Sequence, residues 1–190
     1  EKLVINQTDI YWLDEYRNVP ALYLKVVNLL LHNHNLTDRH RLGLRVAALD
    51  STAMSMDIRG DFIGKSIESL PHWQGRLYFE LKQIDLAVWH RWIPFPGEID
   101  IKQGKGALRG WLTLTEGTIN DWLIDADLHR INASLGTNLP KLELDFLQGR
   151  IGVKRSNQSE SLVQEWTARQ LNFKLAHQQI ITNPINAIWR

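Results

Sequence analysis

Apolar and polar residues alternate along most of this chain. From Gly75 to Asp85, Leu77, Phe79 and Leu81 recur at period two against Tyr78, Glu80 and Lys82. This predicts a strand with one apolar and one mainly polar face. Leu86 to Ile93 then changes character, predicting one or two helical turns stopped by Pro94, or a wide turn into Phe95-Pro96-Gly97. The strand pattern recurs upstream at Leu22, Leu24 and Val26, at Leu42, Leu44 and Val46, and at Met54, Met56 and Ile58, where Gly60-Asp61 reads as a strand break. Downstream, Glu98 to Gly104 predicts a short strand and Gly106 to Leu114 another, with Leu108, Leu112 and Leu114 on one side. Thr118 to Ile131 reads as the hairpin return, placing Trp122, Ile124, Ala126 and Leu128 together. Leu142, Leu144 and Phe146 give a further strand, and Arg150 to Lys154 a separate one after Gly149. Between Trp166 and Leu175 the alternation slips phase, which predicts two short strands or one bulged strand.

The remaining stretches are less regular. Ile10 to Arg17 fits a short helix capped by Asp9 or a twisted edge strand. Residues 61–74 and Arg155 to Ser161 read as loops, and Ile180 to Arg190 has no clear period. Two short signatures recur. Gly-x-Leu/Ile begins at Gly75, Gly106 and Gly149, and Leu-x-x-Val/Ile-Asp/Asn runs from Leu24 to Asn28, Leu81 to Asp85 and Leu128 to Asn132. The second reads as a strand ending on a turn-starting acid or amide. Together they predict a strand-turn unit used several times in a long antiparallel sheet. The expected fold is mostly β, with at most one or two short helices. Without linkers, charge runs or low-complexity tracts, residues 1–190 read as one segment.

Composition narrows the function classes. Acidic and basic side chains nearly cancel at a formal net charge of +1, giving no support for nucleic acid as the main partner. Cysteine is absent, which excludes disulfide and thiol chemistry. No apolar run approaches the roughly 20 residues of a spanning helix. The numbering opens without a start methionine or signal peptide, as expected of a processed chain or a piece of a longer one.

Candidate chemistry is sparse. His32, His34 and His40 cluster without a thiolate nearby, and read as loop histidines in preference to zinc ligands. Gly64-Lys65-Ser66 lacks the upstream glycine of a phosphate loop, whose place is held by Arg59. Asp57, Asp61 and Glu68, like Asp121, Asp125 and Asp127, offer carboxylates that read as a solvated sheet face. No nucleophile elbow occurs. Catalytic, metal and cofactor sites are therefore expected to be none. Of eight tryptophans, Trp89, Trp92, Trp111 and Trp122 fall in the middle of the chain, where they suit core corners, glycan platforms and membrane interfaces alike.

Several short patterns occur in a telling order: Trp12-Leu13-Asp14, Arg39-His40-Arg41-Leu42, Trp73-x-Gly75-Arg76-Leu77-Tyr78, Asp85-Leu86-x-x-Trp89 and Gly104-x-Gly106-Ala107-Leu108-x-x-Trp111-Leu112. Gly117-x-Ile119, Ala126-Asp127-Leu128, Leu139-Pro140-x-Leu142 and Gly149-Arg150-Ile151 follow. From about Trp12 to Leu175 the chain resembles the YhdP branch of the AsmA-like family of Gram-negative envelope proteins. The resemblance implies an elongated sheet curled into an apolar groove, within a long periplasmic protein anchored in the inner membrane outside this stretch. It also implies a non-enzymatic role in moving phospholipid toward the outer membrane. Leu42, Leu44, Leu77, Phe79, Leu81, Leu108, Leu112, Leu114, Trp122, Ile124 and Leu128 are the candidates for covering phospholipid acyl chains, with envelope proteins as possible further partners. The alternatives are a closed β-sandwich scaffold or interaction module, and a glycan-binding domain built on the tryptophans.

Overall fold

The computed structural model describes residues 1–16, 19, 21–34, 36–49, 54–89, 100–134, 141–158, 161–175, 178–181 and 185–189. They form one antiparallel sheet of eleven strands. In order these are β1 (Lys2–Trp12), β2 (Leu22–His34), β3 (Arg39–Leu49), β4 (Ser55–Ile63), β5 (Gln74–Asp85) and β6 (Asp100–Thr115). β7 (Thr118–Ser134), β8 (Leu142–Gln158), β9 (Ser161–Leu175), β10 (Gln178–Ile181) and β11 (Ile185–Trp189) complete it. Each strand from β1 to β10 lies beside the next in sequence. β10 and β11 both run back along β9, against Leu175–Asn172 and Ala168–Gln164, so they share one edge position. β1 holds the other edge and, among the described residues, pairs only with β2. The sheet is open and single-layered, where a sandwich requires two packed sheets.

Several strands are longer than the alternation predicts, because glycine does not end them. Gly60 lies inside β4, paired with Leu42 and Leu77. The two strands expected around Gly104-Gly106 are one 16-residue strand, and those around Gly149 are one 17-residue strand. Gly106 and Gly149 have φ of 151° and 148°, and a Cβ on Gly106 would stand 1.9 Å from the Asp127 carbonyl oxygen. Only glycine lets the backbone pass there without interrupting the ladder. Ile10 to Trp12 end an edge strand and not a helix, and Leu13 to Tyr16 follow as coil and turn. Asp9 of the same strand accepts hydrogen bonds from the Val26 amide at 2.9 Å and the Tyr23 hydroxyl at 3.0 Å, which holds its carboxyl below the usual range. Residues 161–175 form one bulged strand, β9, whose register slips against β8 between Gln148 and Arg150.

The Leu-x-x-Val/Ile-Asp/Asn signature has a different meaning from the one expected. Two of its three copies lie inside strands, and in all three the middle residue has positive φ: Val26 at 51°, Gln83 at 54° and Arg130 at 53°. In a regular strand, residues three apart point to opposite faces. The bulge resets the phase, so that Leu24 with Val27, Leu81 with Ile84 and Leu128 with Ile131 all join the same apolar cluster. Beside the first copy, Gln7 has φ of 47°, and its amide donates to Asn28 at 3.2 Å while Asp9 receives the Val26 amide. The two bulges thus satisfy each other's backbone.

Two short elements sit at opposite ends of the sheet. A 3-10 turn (Ile67–His72) precedes β5, and helix α1 (Leu86–Trp89) follows it. Residues 90–99, which the alternation assigns to further helix or turn and to the first part of a strand, lie outside the described residues, as do residues 135–140. At the α1 end, Leu86 and Trp89 pack with Val27, Val46, Met54, Met56, Leu81 and Ile84 to form the buried core. Trp89 donates its indole N–H to the Met54 sulfur at 3.0 Å.

Candidate functional site

Strand register builds the apolar face in rows. Leu42, Gly60, Leu77, Leu112, Trp122 and Val153 lie directly across from one another in β3 to β8. A second row runs Leu44, Ile58, Phe79, Gly110, Ile124, Ile151, and a third Val46, Met56, Leu81, Leu108, Ala126, Gly149. Leu114, opposite Gly75, extends the face toward the hairpin end, and Leu128, opposite Gly106, toward α1. All eleven apolar candidates therefore share one face. Leu81 and Leu128 are buried at 8% and 7% exposure, whereas the other nine are half-buried. The difference follows position, because α1 covers the face at one end. At the other end Trp73 stacks on His40 at 4.4 Å and lies near Phe62. Aromatic rings fill the glycine gaps between: a Cβ on Gly110 would meet the Phe79 ring at 2.4 Å, and one on Gly60 the Phe62 ring at 2.3 Å.

The opposite face is not uniformly polar. Its central row runs Val4, Leu30, Gly43, Arg59, Tyr78, Trp111, Leu123. On one side lies an ionic row, Arg45, Asp57, Glu80, Arg109, Asp125, Arg150, and on the other Lys2, His32, Arg41, Asp61, Arg76, Thr113. Asp125 receives Arg109 at 2.7 Å and Arg150 at 2.5 Å, and these partners, Arg150 foremost, pull its pKa down to about 2. Arg59 and Arg45 hold Asp57 below the usual carboxylate range, and Arg39 does the same to Asp61. Trp111 lies beside the Arg109 and Arg150 guanidinium groups at 5.3 and 5.7 Å, with Tyr78 at 5.6 Å. Residues of β1 to β6 line an open trough of about 870 Å³; most belong to the rows of this side, and Leu29, Leu42, Leu44, Gly60, Leu77 and Leu112, which alternate with them, complete the lining.

The whole chain, residues 1–190, matches the family described as YhdP protein. The chain belongs to the YhdP family. No curated protein and no solved structure matches it. The single antiparallel sheet agrees with the β-groove architecture that the resemblance implies.

Within this YhdP-family chain the other candidates separate. His32 and His34 lie together, ring centroids 4.3 Å apart, on the trough side. His40 is on the apolar side, its nitrogens 3.0 Å from the Asn33 side-chain oxygen and 2.7 Å from the Gly64 carbonyl. The three histidines therefore do not converge. Lys65 follows β4 without entering a long helix, so no phosphate loop forms. Asp57, Asp61 and Asp125 pair with arginines and not with each other, while Asp121 accepts the Arg155 amide at 3.0 Å. Glu68's side chain and Trp92 lie outside the described residues. Trp111 is exposed and Trp122 half-buried, on opposite faces, so these two tryptophans make no common platform. The arginine rows were missed because each arginine reads alone as a solvated residue. Their signal is positional: Arg41, Arg45, Arg59, Arg76, Arg109 and Arg150 all occupy outward places in the alternation.

Proposed function

We propose that this chain is a non-enzymatic segment of a lipid conduit in the periplasm of a Gram-negative envelope, covering phospholipid acyl chains on its apolar sheet face. One observation carries the reading: the eleven apolar candidates form cross-strand rows on one face of an open sheet, and nine of them stay half-buried. An acyl chain gains about 0.8 kcal/mol for each methylene withdrawn from water. Rows of leucine with phenylalanine and tryptophan supply that cover without a directional bond, so a lipid slides along them without a deep trap. The head group stays at the wet mouth. Family membership supports the cargo and the compartment, and the reading includes an inner-membrane anchor outside residues 1–190.

The test is native mass spectrometry of the protein after delipidation and exposure to phospholipid vesicles. Phospholipid adducts are expected, and Leu77→Asp and Leu112→Asp should each remove most of them. Both positions are half-buried, so circular dichroism should show the sheet retained. A folded protein that acquires no phospholipid, or adducts indifferent to both substitutions, overturns the reading.

A further inference from the structure

The trough lies on the side of the sheet away from the apolar rows, and its lining is not that of a merely solvated surface. Its floor carries Val4, Leu30 and Trp111, which are 46%, 40% and 37% exposed, with Tyr78 of β5 beside Trp111. Gly43 leaves a low point in the same row, where an added Cβ would come no closer than 3.8 Å to Leu30. Around this floor stand five cations, Lys2, Arg41, Arg45, Arg59 and Arg76, against two carboxylates, Asp57 and Asp61. Those carboxylates are already committed: Asp57 to Arg45 and Arg59, Asp61 to Arg39 and Arg41. Among the described residues no ion pair engages Lys2 or Arg76.

We propose that this trough docks an extended, acidic segment of a partner protein, with its apolar side chains on the Val4-Leu30-Tyr78-Trp111 floor and its carboxylates on Arg41, Arg76 and Lys2. Charge complementarity selects the partner, since the lining keeps an excess of positive charge after its own carboxylates are paired. Tyrosine, tryptophan and arginine are the residue types on which protein interfaces concentrate their binding energy. Size agrees as well. Five inter-strand steps of about 4.8 Å span roughly 24 Å, the length of about seven extended residues. The proposal does not rest on the lipid reading, because it uses the other face.

Benzoylphenylalanine in place of Trp111, in the full-length protein in intact cells, provides the test. After irradiation, the cross-linked segment is sequenced by mass spectrometry. The expected adduct is a protein segment rich in Asp and Glu, lowered about tenfold by Arg41→Glu with Arg76→Glu and unchanged by the off-trough control Lys141→Glu. Gly43→Val should lower it too by raising the floor, and the space around Gly43 makes that change compatible with folding. Adducts with lipid alone, adducts with a segment lacking acidic residues, adducts insensitive to charge reversal and to Gly43→Val, or no adduct at all each overturn the proposal.

Discussion

Asp125 shows how one residue serves several strands. It lies in β7 between Arg109 of β6 and Arg150 of β8, and bonds to both guanidinium groups. Its pKa is depressed to about 2, so its contribution to stability is complete above the ordinary carboxylate value and is lost as pH falls through about 2. Both arginines are nearly half exposed, so water screens the pair and the contribution is about 1 kcal/mol. Asp125→Asn should therefore lower the denaturation midpoint at pH 7, and the deficit should shrink as pH falls from about 4 to 2. Urea titrations of both proteins across that range check it. A deficit constant with pH would show that the carboxylate's charge is not what ties the three strands.

At the scale of elements, the positive-φ bulges do what alternation alone cannot. Gln83 is an extra residue between Leu81 and Ile84, which pair with Leu108 and Gly106. Without it the phase beyond Leu81 inverts, turning Ile84 from 2% exposure toward the polar face and displacing α1, which follows at Leu86. Deleting Gln83 should thus cost several kcal/mol, of order 3 to 5, by opening the Ile84-Leu86-Trp89 core. Thermal melts and the loss of Trp89 shielding from a fluorescence quencher would register it; an unchanged melt would mean that the bulge is dispensable. These elements also mark where the sequence is legible. Strands such as β5 and β7 can be read from their period of two, and so can the common face of Leu77, Leu112 and Ile124. The bulges cannot, because Val26, Gln83 and Arg130 share no side-chain property that announces a left-handed backbone. Val26 is β-branched, a type normally excluded from that conformation. Gly60, Gly106 and Gly149 mislead in the opposite sense. Glycine usually punctuates a strand, but here the Phe62 ring at Gly60 and the Asp127 carbonyl at Gly106 occupy the space of the missing Cβ, and Gly149 carries a positive φ within the ladder.

Across the whole molecule the apolar face is graded. Near α1 its residues are sealed, with Val27 at 0%, Val46 at 2% and Ile84 at 2% exposure. Toward the hairpin end Leu42, Leu77 and Leu112 are half-buried. A single-layer sheet cannot bury one face against a second sheet, so stability concentrates where α1 and Met54 cover it, and the open rows fluctuate more readily. Hydrogen exchange should follow this gradient within each strand: amides near Val46, Met56 and Leu81 exchange more slowly than those near Leu42, Gly60 and Leu77. A lipid chain acting as the missing layer would slow the second group and leave the first almost unchanged, since cover can be added only where it is lacking. The comparison is exchange read by mass spectrometry with and without phospholipid vesicles. Protection confined to the strand segments around Leu42, Gly60, Leu77 and Leu112 is the result expected of lipid covering the open end of the apolar rows. Protection spread evenly along the strands, or none, would overturn that reading.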